Sequence, residues 1–148
     1  MKKIDIAYMA GIFDGEGCIS IGKHQRRKNW NPTYSLKISV VMCNPYIPKL
    51  FQMAFGGRID CYERVGYKLP HWNWHLDSKN TIPFLEAIMP YLRLKRDEAR
   101  LALEFQKLKK VKHTFRGNSY KPEEIAVFEA EKILMSKLHD KTEVFNER

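Results

Sequence analysis

Tyr8-Met9-Ala10-Gly11-Ile12-Phe13-Asp14-Gly15-Glu16-Gly17-Cys18-Ile19 is the stretch on which the reading of this 148-residue chain turns. Ile6, Met9, Ile12 and Phe13 recur at helical spacing, so residues 6–16 read as a helix, with Asp5 as its N-cap and Gly15 and Gly17 punctuating its end. Gly11 and Gly15 lie four apart on one helical face beside Ala10, with little bulk to keep a second backbone away. Glycine inside a helix costs about 1 kcal/mol relative to alanine, so its presence calls for a packing reason, and close approach of another helix is one. Glu16 falls where the helix ends. An acid there opposes the electronegative helix terminus unless a cation answers it. A divalent ion that takes carboxylate and backbone carbonyl oxygens, here from Glu16 and Gly15, is such an answer. The plain alternative is a helix–turn–strand that carries a solvated acid.

Outward from this stretch the pattern changes period. Cys18 to His24 alternates, with Ile19 and Ile21 on one side and Ser20, Gly22 and His24 on the other. A polar, basic loop, Gln25 to Pro32, leads to the cleanest strand, Thr33–Cys43. There Tyr34, Leu36, Ile38, Val40 and Met42 share one face, and Thr33, Ser35, Lys37, Ser39 and Val41 the other. Asn44-Pro45 starts a helix and Gly56-Gly57 stops it. Two further strands follow, Arg58 to about Arg64 and His71 to Asp77, with a turn around Gly66. Helices are expected over Pro83–Met89, Ala99–Leu108 and Pro122–Leu138, and a basic loop over Lys107–Ser119. There is no internal repeat. The order α-β-β-α-β-β-α, with further C-terminal helices, is an α+β domain built on one antiparallel four-stranded sheet with helices on one face. A single domain over residues 1–148 is expected, with a core of about 5–108 and a helical extension of about 120–140.

The charge points at a polyanion. The chain carries 26 Lys+Arg against 17 Asp+Glu, a net +9, and from Gly17 to Ile59 it has no acidic residue at all. That segment holds Lys23, Arg26, Arg27, Lys28, Lys37, Lys49 and Arg58. A single-sign stretch of this length sets up a field that attracts phosphates. Hydrophobic residues at 44% support a real core, which argues against wholesale disorder. No run of apolar residues suits a membrane span and no apolar signal segment opens the chain, so an intracellular protein, cytoplasmic or organellar and not secreted, is expected. Cys18, Cys43 and Cys61 fit neither a zinc pattern nor a disulfide framework.

One sheet face is polar across several strands: Ser20, Gly22 and His24, then Ser35, Lys37 and Ser39, then Arg58, Asp60, Tyr62 and Arg64. Antiparallel sheets often wet one face. Across three strands and next to an acid-free basic segment, the pattern also suits base edges in a groove. Arg26, Arg27 and Lys28 would contact phosphate. In the last strand bulk places Trp72, Trp74 and Leu76 in the core and Asn73, His75 and Asp77 outward, and a slip of one residue would reverse that.

Met9 to Gly17 resembles the signature helix of the LAGLIDADG homing endonucleases, with Glu16 at the second acidic position. The element order suits that fold, and Pro90-Tyr91-Leu92-Arg93-Leu94-Lys95 followed by Arg96-Asp97-Glu98-Ala99 is similar to the family's basic segment after the third helix. The resemblance spans roughly residues 5–108 and implies a DNA saddle formed by the sheet. Its single signature copy implies a homodimer with Ala10, Gly11, Asp14 and Gly15 at the two-fold axis, where the two Glu16 carboxylates meet. The activity implied is intron-encoded cleavage of both strands of double-stranded DNA at a long pseudo-palindromic site, leaving short 3′ overhangs. Mg²⁺, or another divalent ion such as Mn²⁺, is implied at Glu16 and Gly15, with no small-molecule cofactor and no membrane. By the same resemblance Asn44 would organise water, though Asn before Pro is also a good helix cap. Lys95 would stand near the scissile phosphate, with Arg93 as a backup.

Two other readings stand beside this one. A non-cleaving nucleic-acid binder on the same scaffold, an RNA maturase or a DNA-binding regulator, would share everything but the chemistry. An unrelated RNA-binding module would need stacking aromatics exposed on the sheet, for which Tyr62 is the clear outward candidate, joined by the two Trp if the last strand were slipped.

Overall fold

The structure is a computed structural model that describes residues 1–25, 28, 30–112 and 120–140, without the side chains of Lys79 and residues 110–112. Its elements run α1 (Lys3–Glu16), β1 (Gly17–His24), β2 (Thr33–Met42), α2 (Tyr46–Phe55), β3 (Arg58–Tyr62), β4 (His71–Asp77), α3 (Thr81–Ile88), α4 (Arg96–Lys112) and α5 (Pro122–Asp140). The strands form one antiparallel sheet in the order β1-β2-β4-β3. This is the α+β architecture expected from the alternation of periods.

One parity of every strand meets the helices. Ile19, Ile21, Tyr34, Leu36, Ile38, Val40, Trp74 and Leu76 are buried there with Met9, Ala10 and Phe13 of α1, Phe51 of α2 and Phe84 of α3. Trp74 anchors this layer. Its ring lies 4.9 Å from Phe51 and 5.2 Å from Phe84, and its indole N–H donates to the Gly56 carbonyl at 2.8 Å. The pairing Val40↔Trp74 and Val41↔Asn73 therefore settles the register of the last strand, with Trp74 inside and Asn73 on the opposite face. Gly57 must be glycine: its φ is +89°, and a Cβ would stand 2.6 Å from the His75 carbonyl oxygen.

Several boundaries differ from expectation, each for a local reason. Helix α1 starts at Lys3, and Asp5 is its third residue rather than its N-cap; the carboxylate accepts the Lys2 N–H at 3.1 Å. Strand β3 stops at Tyr62, because its ladder with β4 ends at Tyr62↔His71 and the chain then turns through Gly66, at φ +86°. Arg64 therefore lies in the connection, with its guanidinium over the Tyr67 ring at 5.5 Å. Helix α4 is longer at both ends than Ala99–Leu108, since Asp97 and Glu98 suit a first helical turn and the basic stretch from Lys107 to Lys112 continues it. Residues 113–119 of the expected loop lie outside the described residues. No described helix is long and apolar enough to cross a membrane.

Helix α5 packs on α4 and beside the edge strand β1. Glu129 fastens it there, taking the Lys23 ammonium at 2.9 Å and the Tyr34 hydroxyl at 2.5 Å. These contacts, the Tyr34 hydrogen bond first, hold the Glu129 carboxyl down at about 2.

Candidate nucleic-acid interface and active site

Helix α1 delivers Glu16 as its last residue, exposed, beside an exposed Gly15. Gly17 then begins β1, and it has no room for a side chain, because a Cβ would stand 2.3 Å from Phe13 Cδ2. The turn from helix to strand is thus as tight as the Phe13 ring allows. No basic residue of α1 sits in its last turn. The cation comes from elsewhere: Lys95 Nζ donates to the Asp14 carbonyl at 2.8 Å, where a positive charge suits the helix C-terminus. The Asp14 carboxylate accepts the backbone N–H groups of Arg93 at 2.8 Å and Lys95 at 3.0 Å. Asp14 therefore clamps the segment before α4 against the end of α1 and anchors Lys95 at a position two residues before Glu16.

Glu16 lines an open cavity of about 440 Å³ together with Val41, Met42, Cys43, Arg64 and His71. Asn44 follows directly, exposed, and its side-chain oxygen accepts the Tyr46 N–H at 2.9 Å, so the helix-capping role is the one seen. Arg93 is exposed and tied to the site through its backbone. Behind it, burial raises the Glu98 carboxyl above the ordinary carboxylate range and raises the Cys18 thiol, in which Glu98 also has a part. All three cysteines are free thiols.

The oxygen donors fit a hard divalent cation but do not complete its shell. Glu16 offers a carboxylate and Gly15 a carbonyl of the last helical turn, whereas both Asp14 oxygens are taken by backbone donors. Among the described residues no group of three His, Cys, Asp or Glu side chains could hold a metal ion.

The other parity of the sheet is open. Register puts Ser20 opposite Lys37 and Asp77, Cys18 opposite Ser39, His75 and Arg58, and Gly22 opposite Ser35. Lys37, Arg58, Asp60, Tyr62, Arg64 and His24 are exposed, and Ser20, Gly22, Ser35, Ser39 and Asn73 half-buried. Several already hold one another: Arg58 pairs with Asp77 at 3.1 Å and His24 with the Ser35 hydroxyl at 2.8 Å. His75 does not stand outward as expected. It is only 6% exposed, with Nδ1 3.4 Å from the Asp60 carboxylate of the neighbouring strand β3. Lys28 is exposed in its turn, and Arg26 and Arg27 lie outside the described residues.

Helix α1 has a second, bare face. Ile4, Tyr8, Gly11 and Gly15 succeed one another at helical spacing and are all exposed. A Cβ on Gly11 or Gly15 would meet nothing within 4 Å. Packing inside the chain therefore does not require these glycines. Ala10 is a correction: it is 0% exposed, turned into the chain's own core with Met9 and Phe13, and cannot line that face. Asp14 is half-buried and engaged within the chain.

His71 is the site residue that sequence reasoning passed over. Its signal was its parity, the same as that of Asn73 and His75.

No family model matches the sequence, and no curated protein matches it. Solved structures do. The chain is 20% identical to the homing endonuclease I-CvuI, crystallised with a DNA target, covering 92% of this chain and 82% of that one at a TM-score of 0.73. It is 15% identical to the archaeal intron-encoded homing endonuclease I-Vdi141I complexed with DNA, covering 93% and 86% at 0.74. Against the LAGLIDADG meganuclease I-AabMI bound to uncleaved DNA, at 16% identity and a TM-score of 0.67, it covers 84% of itself but 44% of that chain. With its sheet order, its helix-end acid and these likenesses, the chain has the LAGLIDADG homing endonuclease fold.

Proposed function

We propose that this chain, acting as one domain, is a site-specific double-strand DNA endonuclease that works as a homodimer. The observation that carries this reading is the end of α1, where an exposed Glu16 closes the helix and Lys95 is anchored on Asp14, two residues before it. The same helix turns two glycines outward with nothing against them. Two copies packed through Gly11 and Gly15 would bring two Glu16 carboxylates together, adding a donor that the described residues of one chain do not place beside Glu16. That the chain covers less than half of I-AabMI fits a half-site protein.

On this reading the open parity faces DNA. Lys37 and Arg64, the latter over the Tyr67 ring, present cations to base edges or phosphate, and Lys28 contacts phosphate. The Arg58–Asp77 and His24–Ser35 pairs hold their side chains in set positions before any ligand arrives. Glu16 and the Gly15 carbonyl would hold Mg²⁺ or Mn²⁺, which supplies charge neutralisation at the phosphate and acidifies the attacking water. Lys95, anchored on the Asp14 carbonyl, adds positive charge where the phosphate gains negative charge. Asn44 follows Cys43 of the cavity lining, and its exposed amide N–H₂ would orient water while its oxygen takes the Tyr46 N–H at the start of α2. An RNA-stacking module fits poorly, since Trp74 is 0% exposed and on the covered face.

The test is a random-duplex pool enriched on the protein in Ca²⁺, then moved to Mg²⁺, with the cut ends sequenced. Two-fold-related ends with short 3′ overhangs are expected. Glu16→Gln should keep its grip on the enriched duplex while cutting at least about 100-fold more slowly. Wild-type protein that retains duplex and never cuts it would leave only a DNA-binding protein on this scaffold. Cutting by Glu16→Gln at the wild-type rate would remove Glu16 from the chemistry.

A further inference from the structure

The cavity at Glu16 has a second polar wall. Gly17 pairs with Val40, so Glu16 arrives level with Val41 at the end of β2, and across the sheet this is the end where His71 opens β4. His71 and Arg64 share the cavity with Glu16. The imidazole lies on the open parity, yet it is only 7% exposed. Tyr62 stacks on it at 5.8 Å with an interplanar angle of 18°, and Tyr67 meets it edge-on at 5.0 Å. The Tyr67 ring also carries the Arg64 guanidinium at 5.5 Å. Two tyrosines thus fix an imidazole and steer a cation on the wall of the cavity that Glu16 enters.

Part of the hydrogen-bonding capacity of His71 is unused among the described residues. Its Nδ1 is shut off from solvent and has no partner among the described residues. Buried polar groups are ordinarily paired, and one left unpaired asks for a ligand or a role. With Nδ1 enclosed, the exposure that the ring keeps leaves Nε2 as the nitrogen open to the cavity. The tautomer that hides no proton on the enclosed nitrogen carries Nε2–H, a donor. A donor and a guanidinium on one wall, and on another a carboxylate suited to a divalent cation, form a set complementary to a phosphodiester.

We propose that His71 is a further catalytic residue of this site, donating through Nε2 to a non-bridging oxygen of the scissile phosphate, with Arg64 as the neighbouring positive charge. The proposal rests on the endonuclease reading. Its test uses the duplex enriched in Ca²⁺ and three variants. His71→Phe keeps a ring between Tyr62 and Tyr67 but carries no nitrogen. His71→Gln places an amide N–H near the former Nε2, and His71→Asn places one near Nδ1. In Mg²⁺, His71→Phe should cut about 100-fold more slowly in a single turnover, while half-saturation in Ca²⁺ stays within about threefold. His71→Gln should recover about tenfold of that loss and His71→Asn none. Cutting by His71→Phe within about threefold of wild type overturns the proposal, as does a loss shared equally by binding. If wild-type protein holds the duplex but does not cut, the endonuclease reading fails on its own. The ¹⁵N resonances of His71 in the metal-free complex then decide: a displaced Nε2 signal upholds the phosphate contact, and an unmoved one overturns it. The same measurement decides the matter should His71→Phe fail to fold.

Discussion

The two faces of the one sheet obey opposite rules. Among the strand residues of the covered face, the Trp74 N–H is answered by the Gly56 carbonyl, and the Tyr34 hydroxyl and Lys23 ammonium by Glu129. On the helices above, Glu98, Gln106 and Glu131 each keep a buried atom without a hydrogen-bond partner among the described residues. On the open face, three alternate residues of β4 each keep a buried atom with no hydrogen bond among the described residues: His71 Nδ1, Asn73 Oδ1 and His75 Nδ1, the last with only the Asp60 carboxylate 3.4 Å away. The same strand supplies both sets, alternating residue by residue. Burial with satisfied hydrogen bonds stabilises a fold, whereas burial without them costs stability and calls for another reason. If the proposed function holds, stability resides on one face and recognition on the other, and substitutions should separate them.

The largest separation is expected at Trp74. Trp74→Ala removes a fully buried ring packed on Phe51 and Phe84 and leaves the Gly56 carbonyl without its donor. A loss of about 3–5 kcal/mol in denaturant unfolding is expected. A loss under about 1 kcal/mol would mean that the covered face is not where stability resides.

Lys37 tests the opposite face with a smaller effect. It is exposed, between Ser20 and Asp77 in the ladder. Lys37→Ala should leave unfolding within about 0.5 kcal/mol of wild type and weaken duplex binding. If Lys37 meets a phosphate, the slope of log affinity against log salt should fall by about 1. An unchanged affinity and slope would take Lys37 out of the interface.

The smallest effect sharpens the comparison at the polar station of the covered face. Glu129 has its carboxyl held down to about 2, by the Tyr34 hydroxyl first and then by Lys23. A carboxylate with a lowered folded pKa contributes stability above the ordinary value of 4.5, and that contribution is lost as pH falls toward 2. Glu129→Gln should therefore melt a few degrees below wild type at neutral pH, with the gap closing over that acid window. A gap constant from pH 7 to pH 2 would show that the carboxylate charge is not what fastens α5 to β1.

Much of this was legible along the chain. The alternation over Thr33–Cys43 assigned faces correctly, because side chains of a strand point alternately whatever packs on them. The helix ending at Glu16 was readable from its apolar spacing and glycines, although Asp5 proved to act from inside the first turn. Strand β3 was overextended to Arg64, since a ladder's end depends on where the partner strand stops and not on local propensity. Ala10 was assigned to the wrong side of α1: a small residue beside glycines looks the same whether it awaits a partner or packs on Phe13.

Element order, strand parity, the positive field from Gly17 to Ile59 and the position of Glu16 at a helix end were determined by the sequence alone, because each follows from local period, capping chemistry or charge. Only the tertiary structure decided depth and company. It sank His75 beneath Asp60, clamped Lys95 to α1 through Asp14, and set His71 in the cavity of Glu16. Those outcomes join segments tens of residues apart, and periodicity says which way a side chain points but not what it will find there.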